Sequence, residues 1–333
     1  MRYLSATDIQ TLFPMTAAIE ADKEALALYS AQKAKIPLRT NIDIPEYQGQ
    51  SLYMPGYIQG AQPALGLKIV SVYPNNPQLH LPSVPATMVT LDPQTGQVSA
   101  LLDGTFLTQL RTGAVQGAAT QLLANSHVQK ALLIGAGGQA MSQLEAMLTV
   151  RSLQEVYIFD RDVDRAYNFC RQASVKFAHQ FPTHLIVVDD PNQVVAQVGL
   201  ITTVTTAKQP TFDGNLVQPG THINGVGAYT PQMCELPVSV LQRAQSIICD
   251  TVDGVLAEAG DIIQPLQAQT LTRQAITGEL GQIINQTLPG RQNEKDITVF
   301  KTVGTAALDT LVAARIVQQA QKQNVGTIFG ENK

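Results

Sequence analysis

From residue 130 onward, short apolar runs alternate with amphipathic stretches. Runs at 131–134, 156–159, 185–188, 200–205, 222–225 and 247–250 have the length and apolar content of buried strands. The stretch after Gln139 and the one at 163–178 have the character of helices, and a further apolar helix is expected near Val194. Strands that alternate with helices imply right-handed crossovers and a parallel sheet covered on both faces. This part of the chain therefore reads as α/β, doubly wound.

The first third has another rhythm. A helix over 15–33, capped from Thr11 or Thr16, gives way to a stretch interrupted by nine prolines between Pro37 and Pro93. Strand candidates at 67–72, 85–91 and 98–102, the last two joined by the turn sequence DPQTG (92–96), suggest a mixed or antiparallel sheet. A helix over 107–123 would link this region to the next. The chain ends in an amphipathic helix over 306–323, whose Leu308, Leu311, Val312 and Ile316 stand outside the alternating pattern and are expected to return to the first domain. The expected organisation is one discontinuous α+β domain, 1–115 with 305–333, and one doubly wound domain, 116–304.

Composition narrows the function. With 333 residues the chain can bury two cores, and 14% charged residues with a net charge of -4 provide no basic surface for nucleic acid or an anionic membrane. No apolar run reaches the roughly 20 residues of a bilayer span, and the opening MRYLSATDIQTLF lacks the pattern of a secretion signal, so a cytoplasmic protein is expected. Cys170, Cys234 and Cys249 are too scattered for a disulfide framework or a thiolate zinc site, the five histidines show no ligand spacing, and no metal is expected. A small-molecule ligand is the remaining expectation.

The segment ALLIGAGGQA (131–140) names a class of ligand. A buried strand runs into Gly135, which permits a tight turn; Gly137 lets a pyrophosphate approach; Ala140 allows helix to pack on strand, and the helix N-terminus faces the phosphates. Asp160 closes the next apolar run, where a carboxylate accepts bonds from ribose hydroxyls and repels a 2′-phosphate. NAD(H) is thus favoured, while Arg161, able to grip a phosphate, keeps NADP(H) open.

Taken together, GLKIVSVYPNNP (66–77), LPSVPATMVTLDPQTG (81–96), LLDGTFLTQLRTGA (101–114), LIGAGGQA, EAGDI (258–262) and ITVFKTVGTAALD (297–309) resemble the ornithine cyclodeaminase and mu-crystallin family along nearly the whole chain. The resemblance implies a homodimer of subunits, each with a Rossmann domain and a substrate and dimerisation domain built from both chain ends. It also implies that Arg39, Lys68 and Arg111 hold a substrate carboxylate. Such a set is chemically sensible, because guanidinium groups bind carboxylates as a fork, although a surface or interface ion pair is the ordinary role of any one of them. Lys68 lies in the apolar stretch LGLKIVSV, where burial would lower its pKa and suit it to proton transfer as the catalytic residue. Cofactor contacts implied by the resemblance are Thr112, Gly135, Gly137, Gly138, Gln139, Asp160, Arg161, Thr203, Val204 and Thr205, with Ser83, Val226 and Gly227 toward the nicotinamide.

The chain departs from the cyclodeaminase pattern at two acids. Tyr229 and Leu52 stand where an aspartate and a glutamate would handle the second amino group of ornithine, and Met233 replaces a nearby lysine. The form G-x-Y-T-P-x-M-x-E-L (227–236) resembles the branch that reduces cyclic imines such as Δ1-pyrroline-2-carboxylate. The expected reaction is hydride delivery to the C=N carbon of a cyclic α-imino acid, with Asp103 and Asp309 as lesser candidates for orienting a water. The alternatives are ornithine cyclodeaminase, alanine dehydrogenase, and a non-catalytic mu-crystallin-like binding protein.

Overall fold

The computed structural model describes residues 1–330, so the last three residues of the expected segment 305–333 lie outside the described residues. The chain forms two compact units, one of residues Met1–Arg111 and the segment from Thr305 onward, the other Thr112–Gly304.

In the first unit β1 (Arg2–Leu4), α1 (Ala6–Leu12) and α2 (Met15–Ser30) precede β2 (Ala34–Lys35), β3 (Thr40–Ile44), β4 (Gly49–Ile58), β5 (Ala64–Val72), β6 (Ala86–Leu91) and β7 (Val98–Asp103). Helix α3 (Gly104–Leu123) follows, and the division between units falls inside it, at 111/112 rather than 115/116, with no loop to mark it in the sequence. α1 was not expected; Ser5 and Asp8 form a capping box that starts it. α2 begins after Pro14 with no side-chain cap, in place of the anticipated threonine, and stops at Ser30 because Gln32 takes a left-handed φ of 58°.

β4 runs straight through Pro55 although proline lacks a ladder N–H. Its register explains this. β4 pairs with β5 along its whole length, but on its other side β3 reaches only as far as Tyr53 and β2 resumes at Tyr57, so Pro55 sits in the gap. The strands β2, β4, β5, β6 and β7 pair antiparallel in that order, β7 pairs parallel with β1, and the sheet closes on β16 (Thr327–Ile328). Buried and half-buried residues alternate along β4 and β5, so one face is core. The terminal helix α10 (Ala306–Gln323), capped by Thr305 and ended by Asn324 in the left-handed conformation, covers that face together with α2.

The second unit contains β8 (Lys130–Ile134), α4 (Ala140–Val150), β9 (Glu155–Phe159), α5 (Val163–Phe177), β10 (His184–Val187), β11 (Leu200–Thr203), β12 (His222–Gly225), α6 (Val238–Arg243), β13 (Ser246–Cys249), α7 (Val252–Glu258), α8 (Gly260–Gln267), β14 (Ile276–Glu279), α9 (Leu280–Ile284) and β15 (Thr298–Lys301). All eight strands are parallel, in the order β10-β9-β8-β11-β12-β15-β13-β14, and hydrophobic clusters cover the sheet. The fold is α/β with a Rossmann-type doubly wound sheet. Near Val194 two 3-10 turns, Pro191–Gln193 and Val195–Gln197, replace the expected helix; Asp190 and Pro191 shape a tight connection, and Val194, Val195 and Val198 still reach the core. The chain order reverses at β8, with β9 on one side and β11 on the other, which opens a crevice at the strand carboxyl ends.

Candidate functional site

Each unit gathers its own group of polar residues. In the first, Lys68 projects from β5 between Met54 and Met88, its register partners on β4 and β6, and is 1% exposed. Its Nζ lies 2.7 Å from Asp309 Oδ2, and Nε of the buried Arg111 donates to Asp309 Oδ1 over 2.9 Å. That bond does not engage the terminal nitrogens that form the guanidinium fork. Asp309 arrives on the first turn of α10 and is fully buried. Arg39 lies partly exposed in the segment before β3, and its charge is felt at both Lys68 and Asp309.

Burial and the neighbouring guanidiniums pull the Lys68 ammonium down to about 7 against the opposing attraction of Asp309. For Asp309, burial alone would raise the pKa, but Arg111 and Lys68 outweigh it and hold the carboxylate below its ordinary value. α2 adds Asp22, which sequence reasoning missed. It is fully buried, and neither carboxyl oxygen has a hydrogen-bond partner among the described residues. Burial drives its pKa well above the ordinary carboxyl value, with Arg111 opposing and Asp309 assisting. The signal was present: Ile19, Asp22 and Leu26 share the spacing of the buried face of α2.

In the second unit the glycine turn occupies the crevice. Gly135 has φ 107°, and a Cβ there would meet the Val204 carbonyl, so the position requires glycine. Its N–H donates to Phe159 O and the Val204 N–H to Ile134 O, which ties the turn to the ends of β9 and β11. A Cβ at Gly137 or Gly138 would meet nothing within 4 Å, and the buried Oε1 of Gln139 has no hydrogen-bond partner among the described residues. Open space over backbone N–H groups at the start of α4 fits a pyrophosphate. Asp160 accepts from the Ala136 N–H with one oxygen and from the Asp162 N–H with the other, so it shapes the turn as well as presenting a carboxylate. Arg161 is exposed, and Arg165 stands 3.7 Å from Asp160. Thr203 is buried, and the Val226 N–H donates to its carbonyl, which joins the ends of β11 and β12.

The remaining candidates separate. Ser83 lies exposed in the first unit before β6, and Thr112 is half-buried on α3. Asp103 caps α3 by accepting from the Phe106 N–H. Leu52 belongs to a buried cluster with Met54, Val70 and Ala306, and Tyr229 packs against the core of the second unit. Among the described residues no group of acidic, histidine or cysteine side chains could hold a metal ion, and all three cysteines are free.

The profile of the ornithine cyclodeaminase/mu-crystallin family matches residues 2–324. The chain belongs to this family. A Δ1-pyrroline-2-carboxylate reductase of Bacillus cereus is 36% identical over 98% of each chain. The Thermococcus litoralis Δ1-pyrroline-2-carboxylate reductase, solved with NADH and L-proline, superposes with a TM-score of 0.93 at 36% identity, covering 98% of this chain and 100% of that one. An archaeal alanine dehydrogenase dimer with bound NAD has a TM-score of 0.90 at 30% identity over 99% of each chain. No helix among the described residues is long and apolar enough to cross a membrane.

Proposed function

We propose that this protein reduces a cyclic α-imino acid with NADH, converting Δ1-pyrroline-2-carboxylate to L-proline or acting on the six-membered homologue. The observation that carries the reading is the buried Lys68–Asp309–Arg111 group, set beside a core in which Leu52 occupies the place of an acid. With Lys68 protonated, Lys68, Arg111 and Arg39 carry three positive charges against the one negative charge of ionised Asp309, and with Lys68 neutral the two arginines still exceed it. The surplus suits an incoming carboxylate, and an apolar ring needs no acidic partner. When bound, NADH supplies the hydride.

In this reading Arg111 and Arg39 fix the carboxylate, and with it the orientation of the neighbouring C=N bond. As the imine carbon accepts the hydride, its π pair passes to nitrogen, which takes a proton. Lys68, with a pKa of about 7, is matched to giving that proton near neutral pH, and Asp309 keeps its ammonium oriented. Gly135, Gly137, Gly138 and Gln139 would hold the pyrophosphate, Asp160 and Arg161 the adenosine ribose, and Thr112, Thr203, Val204 and Thr205, with Ser83, Val226 and Gly227, the remainder. Asp160 is the basis for favouring NADH over NADPH.

The working unit is a homodimer in the cytoplasm. Opposite α10, the sheet of the first unit presents Tyr53, Tyr57, Leu65, Leu67, Val89 and Leu101 half-buried on one face, an apolar band suited to a second copy. One assay panel tests the function: NADH and NADPH against the two cyclic imines, and NAD⁺ against proline, pipecolate, ornithine and alanine. Imine reduction without ammonia release from ornithine or alanine supports it. Ammonia release as the main activity, or ligand binding without turnover, overturns it.

A further inference from the structure

Three of the family-like segments, CEL (234–236), EAGDI (258–262) and VFKT (299–302), find no part in the reaction above, yet the second unit gathers them around one buried carboxylate. Glu235 is fully buried, and its oxygens accept from two different loops. Oε1 takes the Thr205 N–H at 2.5 Å, just beyond β11, and Oε2 takes the Ala228 N–H at 2.8 Å, just beyond β12. Between them, Gly227 lies so close to the Thr205 backbone and to Glu235 Oε1 that no Cβ fits. Asp261 holds Glu235 in turn, its Oδ1 accepting from the Glu235 and Leu236 N–H groups at 2.6 and 2.9 Å, while its Oδ2 lies 2.8 Å from the Lys301 ammonium. Asp261 and Lys301 are both fully buried.

Three buried ionisable side chains are an expensive way to join two loops if stability is the only outcome, because an apolar filling of the same volume does as well or better. What the arrangement adds is a fixed distance. A carboxylate with one N–H on each oxygen, and a backbone held from below by a second carboxylate, sets the separation of two strand-end loops to within a hydrogen-bond length. We propose that Glu235 is a positioning residue for the nicotinamide end of the dinucleotide, holding the loops at Thr205 and Gly227 at the spacing that the ring and its ribose require. This rests on the reading that residues 203–205 and 226–227 receive that half of the cofactor.

The test uses Glu235→Gln, which keeps the shape but places an amide NH2 against one of the two backbone N–H groups where an acceptor is needed. Dissociation constants are measured for NADH, by its own fluorescence in this tryptophan-free chain, and for ADP-ribose, which lacks the nicotinamide, by calorimetry. The expected result is NADH binding weakened roughly tenfold or more, as for a lost charge-assisted hydrogen bond, with ADP-ribose binding within about twofold of wild type. KM for NADH rises while KM for the imine holds. Equal weakening of both ligands, or of neither, overturns the proposal. Glu235→Asp, which keeps the charge and loses reach, is measured alongside and should show the same split if the glutamine variant does not fold; loss of fold in both assigns Glu235 to stability alone and also overturns the proposal. A wild-type protein that binds neither ligand refutes the functional reading first, and this inference with it.

Discussion

Replacing Asp309 with asparagine removes one charge from the Lys68–Asp309–Arg111 group and keeps an acceptor oxygen for one of the two donors, which bond different oxygens of the carboxylate. The carboxylate sits 2.7 Å from Nζ and 2.9 Å from the Arg111 Nε, and all three side chains are buried. At an effective dielectric of about 20, one such charge pair is worth roughly 4 kcal/mol, and each 1.4 kcal/mol is about tenfold in a protonation ratio. Relaxation and the remaining hydrogen bonds reduce this, so the Lys68 pKa should fall from about 7 by roughly two further units. The sign follows from the acid role: imine reduction needs the ammonium, so the rate is full below the Lys68 pKa and lost as pH rises through it. In Asp309→Asn the alkaline limb therefore moves to lower pH, and the rate at pH 7 drops about 50-fold, because about half of Lys68 is ammonium there in the wild type and about one part in a hundred in the variant, with recovery on acidification. The stability loss should be smaller than the ~3–5 kcal/mol typical of a broken buried pair, because Lys68 can release its proton rather than stay charged. The assay is the pH dependence of kcat for imine reduction, with a thermal melt as control. A variant that folds and keeps the wild-type pH profile would refute the coupling of Asp309 to Lys68.

Other consequences are simpler. Asp22 holds its proton in the folded protein, whereas the unfolded chain releases it near the ordinary carboxyl value of about 3.9; stability should fall as pH rises from there toward the raised pKa, and Asp22→Asn should flatten that slope in urea melts. Arg111→Lys keeps the charge but loses the planar fork, so KM for the imino acid should rise by about tenfold or more with little change in KM for NADH. Gly135→Ala must force a side chain into a positive φ and against the Val204 carbonyl; a stability loss of roughly 1–3 kcal/mol and loss of NADH binding are expected, read by melting and fluorescence titration.

Local rules carried much of the fold. The α/β alternation after residue 130 was legible because a fully covered parallel strand is a continuous apolar run, and the amphipathic period placed α10 at 306–323, where the structure has it between a Thr305 cap and Asn324 in the left-handed conformation. β4 was hidden because Pro55 signals a break unless both neighbouring ladders are known. β15 escaped because it inserts between β12 and β13 from far along the chain. In the site, Lys68 stood out as a cation within an apolar strand; Lys301, in TVFK, carries the same signal and was passed over. Asp309 was placed low among the candidates because its partner Arg111 is 198 residues away, and no local period reports such a pair. Asp22 was missed because an acid on a helix reads as solvated unless its position on the buried face is weighed.

The most direct test of the account is NADH oxidation by the purified protein with Δ1-pyrroline-2-carboxylate, run beside Lys68→Met. The wild type should form L-proline, and the variant should still fold, with a lowered melting temperature from the broken Lys68–Asp309 pair, yet turn over at least about 100-fold more slowly. Absence of turnover in the wild type, or an unchanged rate in the variant, would contradict it.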